Sequence, residues 1–161
     1  MTTRLTEERT DDSNYARLLR DRIFKRVGHV ADELGMEAYV VGGYVRDALL
    51  RRGDLNDIDF VTVGSGITLA TAVAKSLGRG THLGVFHSYG TAQVKRGRLE
   101  LEFVGARRES YKRDSRNPIV EDGTLEEDIA RRDFTINAMA ICINEDSFGR
   151  LIDNYNGLQD L

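Results

Sequence analysis

The chain has 161 residues, 40% of them apolar and 30% charged, with a formal net charge of −3 and a single cysteine, Cys142. That is the length of about one domain, with enough apolar material for a core, and one cysteine excludes a disulfide framework or a cysteine-rich metal site. No apolar run nears the roughly 18 residues of a membrane span, the opening "MTTRLTEERTDDSN" has no signal-peptide layout, and the acidic balance speaks against a dedicated nucleic-acid binder.

A cytoplasmic protein is expected, with any polynucleotide contact local or supplied by another region. Residues 1–14 read as a polar N-terminal segment. From Ser13 or Asn14 as a cap, "SNYARLLRDRIFKRVGHVADELG" reads as one helix with an apolar stripe of Leu19, Ile23, Val27, Val30 and Leu34, closed by Gly35. "EAYVV" is a strand, Gly42-Gly43 a sharp turn, and "YVRDALLRR" a short helix starting at those glycines. "DIDFVTV" is a second strand and "GITLATAVAKSLG" a helix ending at Gly78. His82 and His87 flank a turn, "LGVFH", and "YGTAQVKRGRLELEFVG" forms a hairpin around Lys95-Arg96-Gly97-Arg98. Residues 107–123 read as a loop carrying Pro118. "TLEEDIARRD" opens with a capping box from Thr124 to Glu127, "AMAICIN" is a last strand, and "LIDNYNGLQDL" starts a further element.

Residues i and i+2 of a strand share a face, so Asp57 and Asp59 set two carboxylates side by side while Ile58 and Phe60 turn to the core. Adjacent anions repel unless a cation joins them, and hard oxygens at this spacing suit Mg²⁺, which completes its octahedron with water and phosphate oxygens. Taken alone, "GDLNDID" is also a solvated acidic turn. Upstream, Gly42 and Gly43 let the backbone approach a ligand, and Arg46 stands one turn into the helix they open, with Asp47 able to hold it. Glycines like these also serve ordinary turns. The conjunction of a phosphate cradle with a metal carboxylate pair indicates phosphoryl or nucleotidyl transfer from a Mg²⁺-bound triphosphate. Glu100 and Glu102 offer a third carboxylate, Glu100 reading as a solvent-facing residue. Arg131, Arg132, Asp133, Thr135 and Asn137 put polar groups into an otherwise apolar run.

In this order, "VVGGYVRDALL", "DIDF", "LEFVGAR", "EEDIARRDFTINAMA" and "IDNYNGLQDL" resemble the head domain of class II tRNA nucleotidyltransferases and bacterial poly(A) polymerases. These belong to the DNA polymerase beta-like nucleotidyltransferases, and the likeness covers residues 15–161. It implies an α/β (α+β) nucleotidyltransferase fold, a small mixed sheet with helices packed on one side, with the head at 15–152 and 153–161 leading into a neck domain. It also implies that Gly43 and Arg46 bind the triphosphate, with Gly42 permitting the approach. By the same resemblance Asp57 and Asp59 bind metal, and Glu102 is a third catalytic carboxylate that helps activate the attacking 3′-hydroxyl. Arg132 becomes a nucleotide contact, with Asp133 and Asn137 shaping the sugar pocket. The implied chemistry is a two-metal, Mg²⁺-dependent attack of an RNA 3′-hydroxyl, tRNA first among candidates, on the α-phosphate of ATP, with CTP as a second candidate, releasing pyrophosphate.

Two features depart from the family. Asn154 stands where proline is usual, and Glu127, Asp128 and Arg131 spell the family's base-reading Glu-Asp-x-x-Arg in the head rather than in the neck, a coincidental match. Base choice and RNA grip belong to neck and body domains, so an isolated head is expected to be weakly active at best. From Arg107 to Arg116 five basic and two acidic side chains leave a local +3. That charge suits either a solvated surface or a clamp ordered by phosphates. The alternatives to an RNA-extending enzyme are a nucleotide-binding module without chemistry and transfer to a non-RNA acceptor. His29 reads as a helix-surface residue and Cys142 as core, and "GSGIT" lacks the third glycine of a dinucleotide fingerprint.

Overall fold

The computed structural model describes residues 15–51, 56–111, 118–130, 138–153 and 157–160. Asp21 begins the first helix, α1 (Arg22–Leu34), its Oδ1 accepting the Ile23 amide at 2.9 Å. The helix expected to run from residue 13 or 14 is therefore shorter. Tyr15–Leu18 form a 3-10 turn instead, because the Tyr15 amide is tied to the Gly149 carbonyl (3.0 Å) and its side chain is buried. The stripe of α1 is buried from Ile23 to Val30, but Leu34 is exposed. Gly35 closes the helix at φ 68°, as its position predicts.

The chain then continues through β1 (Ala38–Val41), α2 (Gly43–Leu49), β2 (Asp57–Thr62) and α3 (Gly66–Leu77). Next come β3 (Thr81–Phe86), β4 (Thr91–Arg96) and β5 (Leu99–Gly105), then β6 (Arg107–Tyr111) and β7 (Pro118–Asp122). The last elements are α4 (Leu125–Ala130), β8 (Ala140–Cys142), β9 (Leu151–Ile152) and the short α5 (Gly157–Asp160). Seven strands form one sheet in the order β3-β4-β5-β2-β1-β8-β9. Its neighbours are antiparallel except β2 and β5, which run parallel. The sheet is mixed, as expected. Two expectations fail. Thr81–Phe86 is an edge strand rather than a turn between His82 and His87. Within the stretch 107–123, expected to be a loop, Arg107–Tyr111 and Pro118–Asp122 are instead strands β6 and β7, which pair into a separate antiparallel ribbon from Arg107↔Asp122 to Tyr111↔Pro118.

The main core lies between one sheet face and helices α1, α2 and α3. At its centre Phe60 stacks on Phe103 (centroids 4.9 Å apart, planes 11° apart), and Phe24 of α1 closes on Phe60 at 6.2 Å. Such pairs add about 0.5–1.5 kcal/mol each beyond the area they bury. These contacts anchor β2 from behind. Close backbone approach does the same for α1 and α3. A Cβ on Gly28 would strike the Ile143 carbonyl oxygen, and one on Gly66 would come within 2.8 Å of the Val104 carbonyl carbon. The opposite face carries a smaller apolar cluster in which Leu125 and Ile129 of α4 meet Tyr39, Val41, Val61, Ala106, Ala140 and Cys142. Among the described residues no helix is long and apolar enough to cross a membrane.

Candidate active site

Strand β2 alternates along its first half. Asp57 and Asp59 are exposed while Ile58 and Phe60 are buried. The two carboxylates therefore share the sheet face opposite the main core, as the period-2 reading predicts. The parallel register sets Asp57 beside Glu100 and Asp59 beside Glu102, and the next antiparallel register sets Glu102 beside Gln93 and Glu100 beside Lys95. Directly paired residues point the same way, so these oxygens open onto one cleft of about 260 Å³ lined by Asp57, Asp59, Gln93, Glu100 and Glu102. Lys95 Nζ reaches Glu100 Oε1 at 3.8 Å with both side chains more than half exposed, in keeping with the solvent-facing reading of Glu100.

On the other side of β2 the antiparallel pairing Val41↔Asp59 delivers the glycine turn to the same point. Gly42 adopts φ 71°, ψ −138°, a conformation that a side chain disfavours, and a Cβ there would sit 3.8 Å from Asp59 Oδ2. Gly43 begins α2, and a Cβ on it would come within 3.3 Å of Arg46 Nη2. The Arg46 guanidinium thus folds back over the glycines, with Nε donating to Asp47 Oδ1 at 3.0 Å. Of the residues singled out from the sequence, Asp57, Asp59 and Glu102 thus stand on the adjacent strands β2 and β5, and Gly42, Gly43 and Arg46 lie in the turn and helix that follow the neighbouring β1, with Gly42 against Asp59. Arg132, Asp133 and Asn137 lie outside the described residues, as does Asn154.

Among the described residues no set of three His, Cys, Asp and Glu side chains already converges on a metal position. A pair of carboxylates on one strand face, with an amide oxygen and a further carboxylate nearby, is nevertheless a hard-oxygen donor set. It suits an ion that draws its remaining ligands from water and phosphate.

The chance match Glu127-Asp128-x-x-Arg131 is structural where it is described. Glu127 Oε1 accepts the Thr124 amide (3.1 Å) and Thr124 Oγ1 accepts the Glu127 amide (3.2 Å), the reciprocal capping box. Asp128 is fully buried, so it cannot face a nucleobase. Sequence reasoning missed this buried carboxylate, and its single signal was an acidic residue at a helical position between Leu125 and Ile129.

Residues 38–161 match the family described as the Poly A polymerase head domain. An A-adding tRNA nucleotidyltransferase of Aquifex aeolicus is 50% identical over 126 residues, which cover 78% of this chain and 15% of that protein. The apo structure of a CCA-adding enzyme aligns with a TM-score of 0.78 at 36% identity over 99% of this chain and 36% of its own. A tRNA nucleotidyltransferase solved with a primer tRNA and an incoming ATP analogue aligns with a TM-score of 0.70 at 46% identity, over 83% of this chain and 36% of its own. The chain thus spans between 15% and 36% of the length of these relatives.

Proposed function

The chain belongs to the poly(A) polymerase head-domain family, and from that premise we propose that it is the nucleotide-transferring head of an enzyme that extends the 3′ end of tRNA. In this reading residues 15–152 are the head and 153–161 lead toward a neck, with base choice and RNA grip lying in neck and body domains. The donor is ATP, with CTP as a second candidate. The relatives named for A-adding and CCA-adding activity, and the structure holding primer tRNA with an ATP analogue, support that choice. The observation that carries the reading is the strand register, which sets Asp59 between the Gly42 turn and Glu102.

Asp57 and Asp59 would hold Mg²⁺, which when bound neutralises phosphate charge and stabilises the attacking and leaving oxygens of an in-line displacement. The rest is done by the chain itself. Gly42 and Gly43 bring bare backbone up to the triphosphate, and Arg46, braced by Asp47, offers its guanidinium to the phosphate oxygens. The primer 3′-oxygen attacks the α-phosphorus, the bond to the β-phosphate oxygen breaks, and pyrophosphate leaves. Glu102, beside Asp59, draws the proton of the 3′-hydroxyl. Arg132, Asp133 and Asn137 complete the nucleotide pocket in this reading.

The deciding experiment gives the full-length protein tRNA lacking its terminal nucleotides and radiolabelled ATP or CTP. Incorporation that Asp59→Asn abolishes supports the proposal. Nucleotide binding without any incorporation would instead assign a non-catalytic module, and labelling of an acceptor other than RNA would overturn the choice of substrate.

A further inference from the structure

We infer that Asp128 is a positioning residue that holds the β6–β7 ribbon in a set orientation to α4 and to the end of the Glu102 strand. Three chain segments meet at the root of the ribbon, where the Asp128 side chain accepts one of their amides. The first is the end of β5, the strand that carries Glu102. Ala106 follows it, donating its amide to the Thr62 carbonyl (2.8 Å) and accepting from the Gly123 amide (2.8 Å). Here the chain leaves the large sheet. The second is the root of the ribbon, where the Arg107 amide donates to Asp128 Oδ2 at 3.0 Å. The third is α4 itself, whose Asp128 amide bonds back to the Thr124 carbonyl (3.0 Å) and whose Leu125 and Ile129 sit in the second apolar cluster with Val61 and Ala106.

A carboxylate at 0% exposure is costly to bury and is kept only where its hydrogen bonds are specific. Arg107 is the first ribbon residue, and the Asp128 bond fixes the direction in which the ribbon departs. Alpha4 in turn runs directly into residues 131–137, which hold Arg132, Asp133 and Asn137. One buried side chain thus ties the root of the ribbon, one residue beyond the strand bearing Glu102, to α4. Misplacement of a reacting group by about 1 Å costs rate far more than it costs affinity.

The kinetic part of this inference rests on the proposed transfer reaction; the structural part does not. In the full-length protein, Asp128→Ala is expected to speed amide exchange in residues 107–111 and 118–122 about tenfold or more while the β2–β5 ladder stays protected. The same variant should lower kcat for nucleotide incorporation into tRNA about tenfold or more, with KM for ATP changed less than about threefold. Asp128→Asn keeps an oxygen for the Arg107 amide and should restore most of both. If the alanine variant does not fold, the asparagine variant decides, since ribbon exchange faster than in the parent would overturn the inference. A folded alanine variant with parental ribbon exchange, or with kcat and KM both unchanged, would overturn it too. A parent protein that adds no nucleotide would sink the proposed reaction and leave the exchange comparison to decide the role of Asp128.

Discussion

Replacing Asp57 and Asp59 together by asparagine separates a metal site from a solvated acidic strand, because the two assignments predict different responses to Mg-ATP. Alternate residues of a strand stand about 7 Å apart. Two full charges at that distance repel by about 0.6 kcal/mol at the dielectric of water and about 2.4 kcal/mol at an effective value of 20. Both side chains are exposed, so the weaker limit governs, and salt reduces it further. Asparagine keeps the size and one acceptor oxygen of each carboxylate, so the ligand-free double variant should match the parent in stability to within about 1 kcal/mol. With ligand the two part. At a hundredfold excess over Kd, Mg-ATP should stabilise the parent by about 2.7 kcal/mol, which for a chain of this size raises Tm by about 5–10 °C. The double variant should gain almost none of that shift. The assay is thermal unfolding with Mg²⁺ alone, ATP alone, both together, and both with excess chelator. A double variant that gains the parental shift from Mg-ATP would refute the metal assignment.

Gly42→Ala forces a side chain into φ 71°, ψ −138°. It should cost about 1–3 kcal/mol in urea denaturation and lower nucleotide incorporation, because the turn meets Asp59. Gly28→Ala should destabilise by about 1–3 kcal/mol despite a helix-propensity gain of about 1 kcal/mol, since the atom in the way is the Ile143 backbone carbonyl oxygen rather than a movable side chain. Calorimetry showing a rise in Tm would contradict that packing. Burial, followed by the nearby charge of Asp21, pushes the Tyr44 hydroxyl up from 10.0 to about 12. Its contribution is whole below pH 10 and is lost as pH rises toward 12, because the unfolded chain gives up its proton first. Tyr44→Phe, which also removes the bond to the Leu18 carbonyl (2.9 Å), should flatten that part of the stability–pH curve, measured by denaturation at stepped pH.

Local periodicity and special residues made much of the site legible without coordinates. The alternation in "DIDF" places two carboxylates on one face, Gly35 ends α1, and Thr124 with Glu127 caps α4. Each rests on neighbours within four residues, where backbone geometry alone decides. The start of α1 failed that logic because Tyr15 bonds to Gly149, far away in the chain. Strand β3 was illegible because an edge strand with one weakly buried side shows little alternation. The ribbon was illegible because its charged composition reads as a loop until β6 and β7 find each other.

The sequence by itself determined the local chemistry of this protein: which residues bear carboxylates, where the backbone is bare, and which strand faces are polar. Tertiary structure alone decided that Glu102 stands beside Asp59, that Gly42 closes on the same carboxylate, and that Asp128 is buried at the root of the ribbon. The physical reason is range. Side-chain direction follows from φ and ψ within a few residues, whereas the parallel pairing of β2 with β5 joins residues more than forty apart through strands, a helix and a hairpin between them. No local pattern encodes which strand becomes the neighbour. Burial of Phe60 against Phe103 selects that partner, and the carboxylates on the opposite face follow.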